Sequence, residues 1–499
     1  MWPISPFYIQ LVCVAYTTVL CREPKTVEEQ KAVLSRVFDY QRQLLSRYVN
    51  PDVRKVPQVF ITYKEVLDVY NARLQVPEDV CLMWTDDNYG YIQHFPTETE
   101  KLRSGGNGIY YHVSYWGRPH DYLWLGTFSP ALLYQQMTTA YDQGIRKIWI
   151  LNVGDIKPCE YQMKLFMDMA WNMNAVLQTG IHQHLCHFLQ REFGNEIGTS
   201  LLPMMREHYR LAYIHKPEFM GGTRTEESDR QYWNTIRDLP LSEADINQRL
   251  HDYQTIEDEV ERIGLQMPAV KKDIYFQLVK YPVQAAAEMN KKLLYGQKAR
   301  HGMEEWKKSD AAYDSIANLT LTYNTLNKGK WQRMMDSNPR RLPVFEPIPH
   351  EQATHTTFID TPYLYKWNGT DCVEGNYSPC EGLGYEGKAV RLGKEGFLTY
   401  LFKSFQTDSI EVEVRLVPTH PIEGTTLRFN IILDGNEPVA ADYATQGRSE
   451  EWKTNVLWNQ AVRRFKLPVK DKESCRMTLT ALDEGIVVDQ VIVKRTSRL

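Results

Sequence analysis

The chain has 499 residues, of which 43% are hydrophobic and 24% charged, with a formal net charge of -4. That length holds roughly two to four domains, and the balance is that of a globular protein rather than a disordered one. Near-neutral charge without a lysine or arginine run excludes the electrostatic footprint of a nucleic-acid binder.

The chain opens on MWPISPFYIQLVCVAYTTVLCREPK, apolar from Phe7 to Leu20, with no basic residue before that stretch and no small-residue cleavage site after it. It is a poor signal peptide, and it is too short and too rich in Tyr, Thr and Gln for a membrane span. Residues 1–25 therefore read as an apolar leader of unassigned role. From residue 26 to 172, short β-rich runs alternate with helical ones. The strands are VPQVFIT, VCLMWT, GIYYHVSYW and KIWILNV. Ser129 as N-cap, Pro130 at the first helical position and Gly144 past the last turn bracket the helix PALLYQQMTTAYDQ. Strand–helix alternation predicts a parallel sheet with covered faces, either a barrel or a doubly wound sheet. Four strands make half of a (β/α)₈ barrel, which typically needs about 250 residues, so this segment reads as a partial barrel carrying the catalytic region.

Residues 173–338 turn helical, with apolar residues three and four apart in INQRLHDYQTIEDEVERI and AEMNKKLLYGQKARHGMEEWKKSDAAYDSIANL. The histidines of IHQHLCHF (His182, His184, His187) lie here at spacings that share no helix face, which argues against a metal site. A Pro-rich break, NPRRLPVFEPIPHE, leads into residues 343–499, where FLTYLF, SIEVEVRLV, TLRFNIILDG, RRFKLPV, CRMTLTAL and GIVVDQVIVK alternate with period two. This predicts an antiparallel β-sandwich. Of eight scattered cysteines only Cys372 and Cys380 stand close together, flanking a turn-rich loop, either as a disulfide or as free thiols.

Parallel α/β sheets place functional groups at the C-terminal ends of their strands. The first strand delivers Glu65, the second Asp86, Asp87 and Asn88, the third Tyr110, His112 and Tyr115 ahead of GRPHD, and the fourth Asn152 and Asp155. Asp87, Asp121 and Asp155, each alone, equally well brace a loop or cap a helix. Two carboxylates, a histidine and several aromatic rings on one rim suit glycoside hydrolysis, in which one carboxyl protonates the leaving oxygen and another activates water. The 30 Tyr and 12 Trp fit sugar stacking as well as they fit large cores. No nucleophile elbow, P-loop or HExxH competes.

The runs WTDDNYG, RSGGNGIYYHVSYWGRPHDYLWL and LNVGDIKP, with EGLGYEGKAVRL, RLVPTHPIEG, DYATQGRSEEWKTNVLWNQAVR and LDEGIVVDQVIV, resemble glycoside hydrolase family 115, the xylan α-1,2-glucuronidases. The resemblance implies an inverting exo-enzyme that removes (4-O-methyl)-glucuronic acid from glucuronoxylan or a similarly decorated oligosaccharide. It places acidic site residues at Glu65 and Asp86, and uronate-pocket residues at Tyr110, His112, Tyr115 and Asn152. It implies neither cofactor nor metal, and a second copy of the chain is a candidate partner. A secreted or periplasmic location is the expectation. The family carries an N-terminal domain and the first half of the barrel ahead of this region, with an R-G-x-H-D-like segment. MWPISPFYIQLVCVAYTTVLC stands there instead. The expectation is an open barrel with an incomplete site, and the rival reading is a carbohydrate-binding remnant that does not cleave.

Overall fold

The computed structural model describes Ile9–Gln10 and residues 26–154, 156–225, 235–352, 363–403, 407–470 and 473–495. Asp155 and all of the apolar leader except Ile9–Gln10 lie outside the described residues. The chain divides into two compact units. One gathers residues up to His112 with Gln136–Asn152 and His420–Gly424; the other holds Val113–Gln135, Val153–Thr419 and Thr425–Leu499.

The first unit is built on a parallel sheet of β1 (Ile9–Gln10), β2 (Gln58–Ile61), β3 (Cys81–Thr85), β4 (Asn107–His112) and β5 (Ile148–Asn152), hydrogen-bonded in that order. This is a half-barrel sheet with one strand more than the four read from sequence. β2 and β3 are buried at every position, as continuous apolar runs in covered parallel sheets are. The register sets Thr85 beside Tyr110, Tyr110 beside Ile150 and His112 beside Asn152, so the polar strand ends stand level.

Helix α1 (Val27–Tyr48) starts on a reciprocal cap. Thr26 Oγ1 accepts from Glu29 N at 3.2 Å, and Glu29 Oε2 accepts from Thr26 N at 3.1 Å. Its Leu34, Phe38 and Leu45 face inward, with the Phe38 ring edge-on to Phe60 at 5.1 Å. Arg42 forks onto both oxygens of Asp79 at 2.9 and 3.0 Å. A second helix, α2 (Glu65–Asn71), leaves the end of β2.

The second unit holds the helices and two antiparallel sheets. Its helical core takes in Trp124, Leu125 and Tyr161 alongside residues from Leu185 to Ile348. That burial is why residues 113–135 and those from 153 onward group with the helices rather than with the sheet they adjoin in sequence. The run AEMNKKLLYGQKARHGMEEWKKSDAAYDSIANL is two helices, Tyr281–Arg300 and Trp306–Gly329. They part at Gly302, whose φ of +71° a side chain rarely adopts. In the tail, one sheet runs Val439–Asp442, Arg428–Leu433, Ser474–Ala481, Phe397–Lys403, Glu374–Asn376. The other runs Ala461–Pro468, Ser409–Leu416, Ile486–Arg495, Val390–Leu392, Ser378–Pro379. Their alternate side chains, among them Val412, Val414, Met477, Leu479 and Val491, fill one core. Cys372 and Cys380 are separate thiols. No helix among the described residues is long and apolar enough to cross a membrane.

The third strand ends four residues short of the run GIYYHVSYW. Past His112 the chain turns out of the sheet, and Tyr115 pairs antiparallel with Tyr122 through two backbone hydrogen bonds of 3.1 and 3.0 Å. The helix after Ser129 starts where expected: α3 (Pro130–Asp142) has Leu132 N donating to Ser129 Oγ at 3.3 Å, and Gly144 follows at φ +87°.

One carboxylate anchors several parts of the first unit. Glu100 accepts from the Tyr70 hydroxyl at 2.6 Å and from Thr97 N at 2.8 Å, and pairs with His94 Nε2 at 3.0 Å. The His94 ring stacks on Trp84 at 4.0 Å. Burial pushes the Glu100 carboxyl up, but His94, Tyr70 and the Thr97 amide outweigh it and hold it down at about 2. A depressed carboxyl stabilises the fold above its unfolded pKa and loses that contribution as pH falls through the folded value. Discounted for solvent screening of a carboxyl that is only partly buried, the loss is on the order of 1–2 kcal/mol between about pH 4.5 and pH 2. Chemical unfolding of wild type and Glu100→Gln should therefore differ by that order near pH 6, and the gap should close by pH 2. A gap that does not change with pH would show that Glu100 acts through shape alone.

Candidate active site

Four strand ends supply the site of the first unit, in two layers distinguished by access. Tyr63, Glu65, Tyr110 and Asn152 are half-buried. Lys64 sits at φ +52°, ψ -121°, an unusual conformation for a residue with a side chain, and places Glu65 at the first position of α2. An acid in a first turn is favoured by the helix dipole. From β4 and β5, Tyr110 and Asn152 meet where the Asn152 amide donates to the Tyr110 hydroxyl at 2.7 Å. The Tyr63 hydroxyl donates to Asn88 Oδ1 at 2.8 Å, across from the end of β2 to the loop after β3.

Behind these lies a sealed layer. The Asp86 side chain is 0% exposed and that of His112 is 3% exposed. Asp86 Oδ1 accepts from both the His112 backbone N–H at 3.1 Å and His112 Nδ1 at 2.6 Å, while Oδ2 accepts from Gly90 N at 2.9 Å. Burial pushes the Asp86 carboxyl up, and the adjacent imidazole offsets only part of that rise, so it stays above the usual carboxylate range. With Nδ1 committed to Asp86, the ring presents Nε2 toward its other side. That ring is stacked against Tyr63 at 5.9 Å and meets Tyr110 edge-on at 5.3 Å. The neighbouring Asp87 braces the loop: its Oδ1 accepts from Tyr89 N at 3.0 Å and Tyr91 N at 3.2 Å. The Tyr111 hydroxyl closes the same loop onto Gly90 O at 2.7 Å.

Five of the six sequence-derived site residues, Glu65, Asp86, Tyr110, His112 and Asn152, thus stand at the C-terminal end of one sheet. Tyr115 belongs to the second unit, half-buried beyond the turn out of β4. Asp121, in the same unit, braces its own loop: Oδ1 accepts from Gly117 N at 2.8 Å and Oδ2 pairs with Arg340 at 2.5 Å. Two residues join that the strand-end rule did not single out: Tyr63 precedes the helix turn in TYKEV, and His420 reaches Asp87 Oδ2 with Nε2 at 3.4 Å from 333 residues away. Asn88, which the rule offered with Asp86 and Asp87, takes φ +73° in the loop after β3. The motif RLVPTHPIEG carries His420, and nothing local in it points to this sheet. The other histidine cluster is dispersed over separate partners: His182 on Glu381, His184 on Asp168, His187 on Gln183.

The sequence matches the family profile of glycosyl hydrolase family 115 over residues 21–219, and that of the glycosyl hydrolase family 115 C-terminal domain over residues 383–497. A solved structure of a family GH115 4-O-methyl-alpha-glucuronidase with specificity for decorated arabinogalactans is 56% identical over 98% of this chain, with a TM-score of 0.96. The present chain spans 64% of the length of that protein. An exo-beta-1,3-galactanase from Phanerochaete chrysosporium with galactose aligns over 28% of this chain and 30% of its own, at 15% identity and a TM-score of 0.21. A carbohydrate binding module from Cellvibrio mixtus lichenase 5A in complex with cellotriose aligns over 27% of this chain and 100% of its own, at 12% identity and a TM-score of 0.21. Both likenesses are too slight to bear on this fold. No curated protein matches.

The two carboxyls of this site should differ in how much their substitution costs. Asp86→Ala strands three buried donors and should cost ~3–5 kcal/mol in denaturant unfolding. Glu65→Gln, at a half-buried first helical turn, should cost about 1 kcal/mol or less. Equal losses would mean that the two layers are not distinct.

Proposed function

Since the chain belongs to glycosyl hydrolase family 115, we propose that it removes α-linked (4-O-methyl)-glucuronic acid from a plant polysaccharide, with inversion at the anomeric carbon. The observation that carries this reading is the gathering of an accessible carboxyl, two hydroxyl- or amide-bearing side chains and a carboxylate-bound imidazole at the ends of four parallel strands. In an inverting hydrolysis, water attacks the anomeric carbon from the face opposite the leaving oxygen. One group takes the water's proton, another protonates the departing oxygen, and the glycosidic C–O bond breaks. Glu65 is the carboxyl on the accessible layer and takes one of these two duties. The resemblance read from sequence gave Asp86 a catalytic duty as well. Its sealed position supports a positioning one instead: it fixes the tautomer and tilt of His112, and the Tyr110–Asn152 pair orients the sugar beside it.

Two polymers fit. Glucuronoxylan follows from the family resemblance, and decorated arabinogalactan is supported by the specificity of the 56%-identical relative, which makes it the first substrate to assay. Polymers of this kind do not cross a cell membrane, which favours a secreted or periplasmic location.

Incubating the purified chain with both polymers and following the released uronic acid by proton NMR tests the proposal. The β-anomer should appear first and then mutarotate; an α-anomer first would mean retention. Glu65→Gln should lower kcat by ~10²- to 10⁴-fold. Asp86→Asn should lower the rate as well, because it removes the carboxylate that holds the His112 ring in place. Saturable binding of polymer without uronic acid release by wild type would replace hydrolysis with the non-catalytic binding reading.

A further inference from the structure

A second polar cleft lies wholly within the second unit, with a volume of about 280 Å³. One wall is a stripe of the helix Asn195–Ile214, on which Pro203, Arg206, Glu207 and Arg210 recur at three- and four-residue steps and so share a face. The opposite wall is the start of the helix Ile181–Phe193, with His182 and Leu185. The loop around EGLGYEG supplies Gly382, Glu386 and Gly387, and Pro130 and Ala131 complete the apolar floor.

The loop is pinned at both ends. Glu381 accepts from His182 Nδ1 at 2.9 Å and from Ile181 N at 3.2 Å. Arg210 donates Nη1 to Tyr385 O at 2.6 Å, forks onto Glu207 at 2.7 and 2.6 Å, and stands 3.6 Å from Glu386. Gly382, at φ +74°, passes so close to the His182 ring that a Cβ would stand 2.8 Å from Nε2. These ties make the cleft preorganised, so little ordering opposes a ligand. Arg206 is exposed and makes no ion pair or hydrogen bond among the described residues.

Resting on the glycan reading above, we propose that this cleft is a non-catalytic subsite for one neutral sugar residue of the polymer. A hydroxyl both donates and accepts, and the walls offer acceptors, the Glu207 and Glu386 carboxylates, beside a held donor, the Arg210 guanidinium, and an exposed one at the rim, that of Arg206. Arg210 is already met by three carboxylates, Glu207, Glu386 and Asp252, which leaves little positive field to hold a uronate or phosphate. Pro130, Ala131 and Leu185 offer an apolar surface to the C–H face of a pyranose. The volume lies near the lower end of small-molecule sites, about 300 Å³, which suits a single ring.

The test uses the full chain with xylotriose, β-1,3-galactotriose and glucuronic acid as probes, titrated by NMR. Neither trisaccharide carries a uronic acid, so their binding is read independently of hydrolysis. One of them should bind saturably at a roughly millimolar Kd, and Arg206→Glu and Glu386→Gln should each weaken it about tenfold. Both variants should release uronic acid from a short decorated oligosaccharide at the wild-type rate. Absence of saturable binding by either trisaccharide overturns the proposal, as does binding that neither substitution moves, or a cleft that takes glucuronic acid alone. Uronic acid release by the wild-type chain is scored separately, so a failed subsite leaves the hydrolase reading intact and a failed hydrolase leaves the subsite measurable.

Discussion

The Asp86 carboxylate is the contact on which the rim of the parallel sheet depends. A carboxylate shut off from water is costly unless every lone pair finds a donor. Asp86 finds three, from two parts of the chain: Gly90 N in its own loop, and both the backbone N–H and the ring of His112 at the end of β4. A parallel ladder joins neighbouring strands through their middles but leaves the departing loops untied. Asp86 supplies the missing tie, so the end of β3, its loop and the end of β4 hold one geometry. Asp87 repeats the device one residue on, with Tyr89 and Tyr91 as donors and His420 at its other oxygen.

Residue type alone leaves this division of labour open. Adjacent acids after a strand read equally as reactive groups or as loop braces, and the strand-end rule is indifferent to whether a carboxylate faces a cavity or a backbone amide. The rule did bring Glu65, Asp86, Tyr110, His112 and Asn152 to one end of one sheet, because period and topology are written in the apolar runs. Access is not written there. It is decided by whether nearby N–H groups turn toward the carboxylate, and for Asp86 those are in a tight loop and a neighbouring strand. His420 shows the limit further, since no local pattern can encode a partner 333 residues away.

The fold was legible to the extent that its signals are local. The cap at Ser129, the fully buried strand CLMWT and the alternating strands of the tail each carry their cause within a few residues. The departures arise where a contact from elsewhere competes. β4 stops at His112 because Tyr115 pairs with Tyr122, although GIYYHVSYW has the β propensity to continue. The long helical run breaks at Gly302, where a positive φ interrupts a sequence whose apolar spacing runs on almost unchanged. Residues Trp124, Leu125 and Tyr161 follow the helices because that is where their large apolar surfaces are covered.

The accessible layer carries its own cost, and its location is informative. Lys64 holds a backbone conformation that typically costs ~1–3 kcal/mol, directly between the two residues, Tyr63 and Glu65, that the first strand end presents. Such a conformation persists only where its surroundings fix it. Here the Lys64 ammonium lies 4.9 Å from the Tyr63 ring centre and the Tyr63 hydroxyl is held by Asn88. Asn88 itself takes a left-handed φ, which its residue type tolerates better than most. The strained turn is therefore braced by the same loop that Asp86 and Asp87 lock from within. Two carboxylates, Asp86 and Asp87, are thus taken up entirely in fixing the loop, and the third, Glu65, stands half-open at the end of the turn that this loop braces.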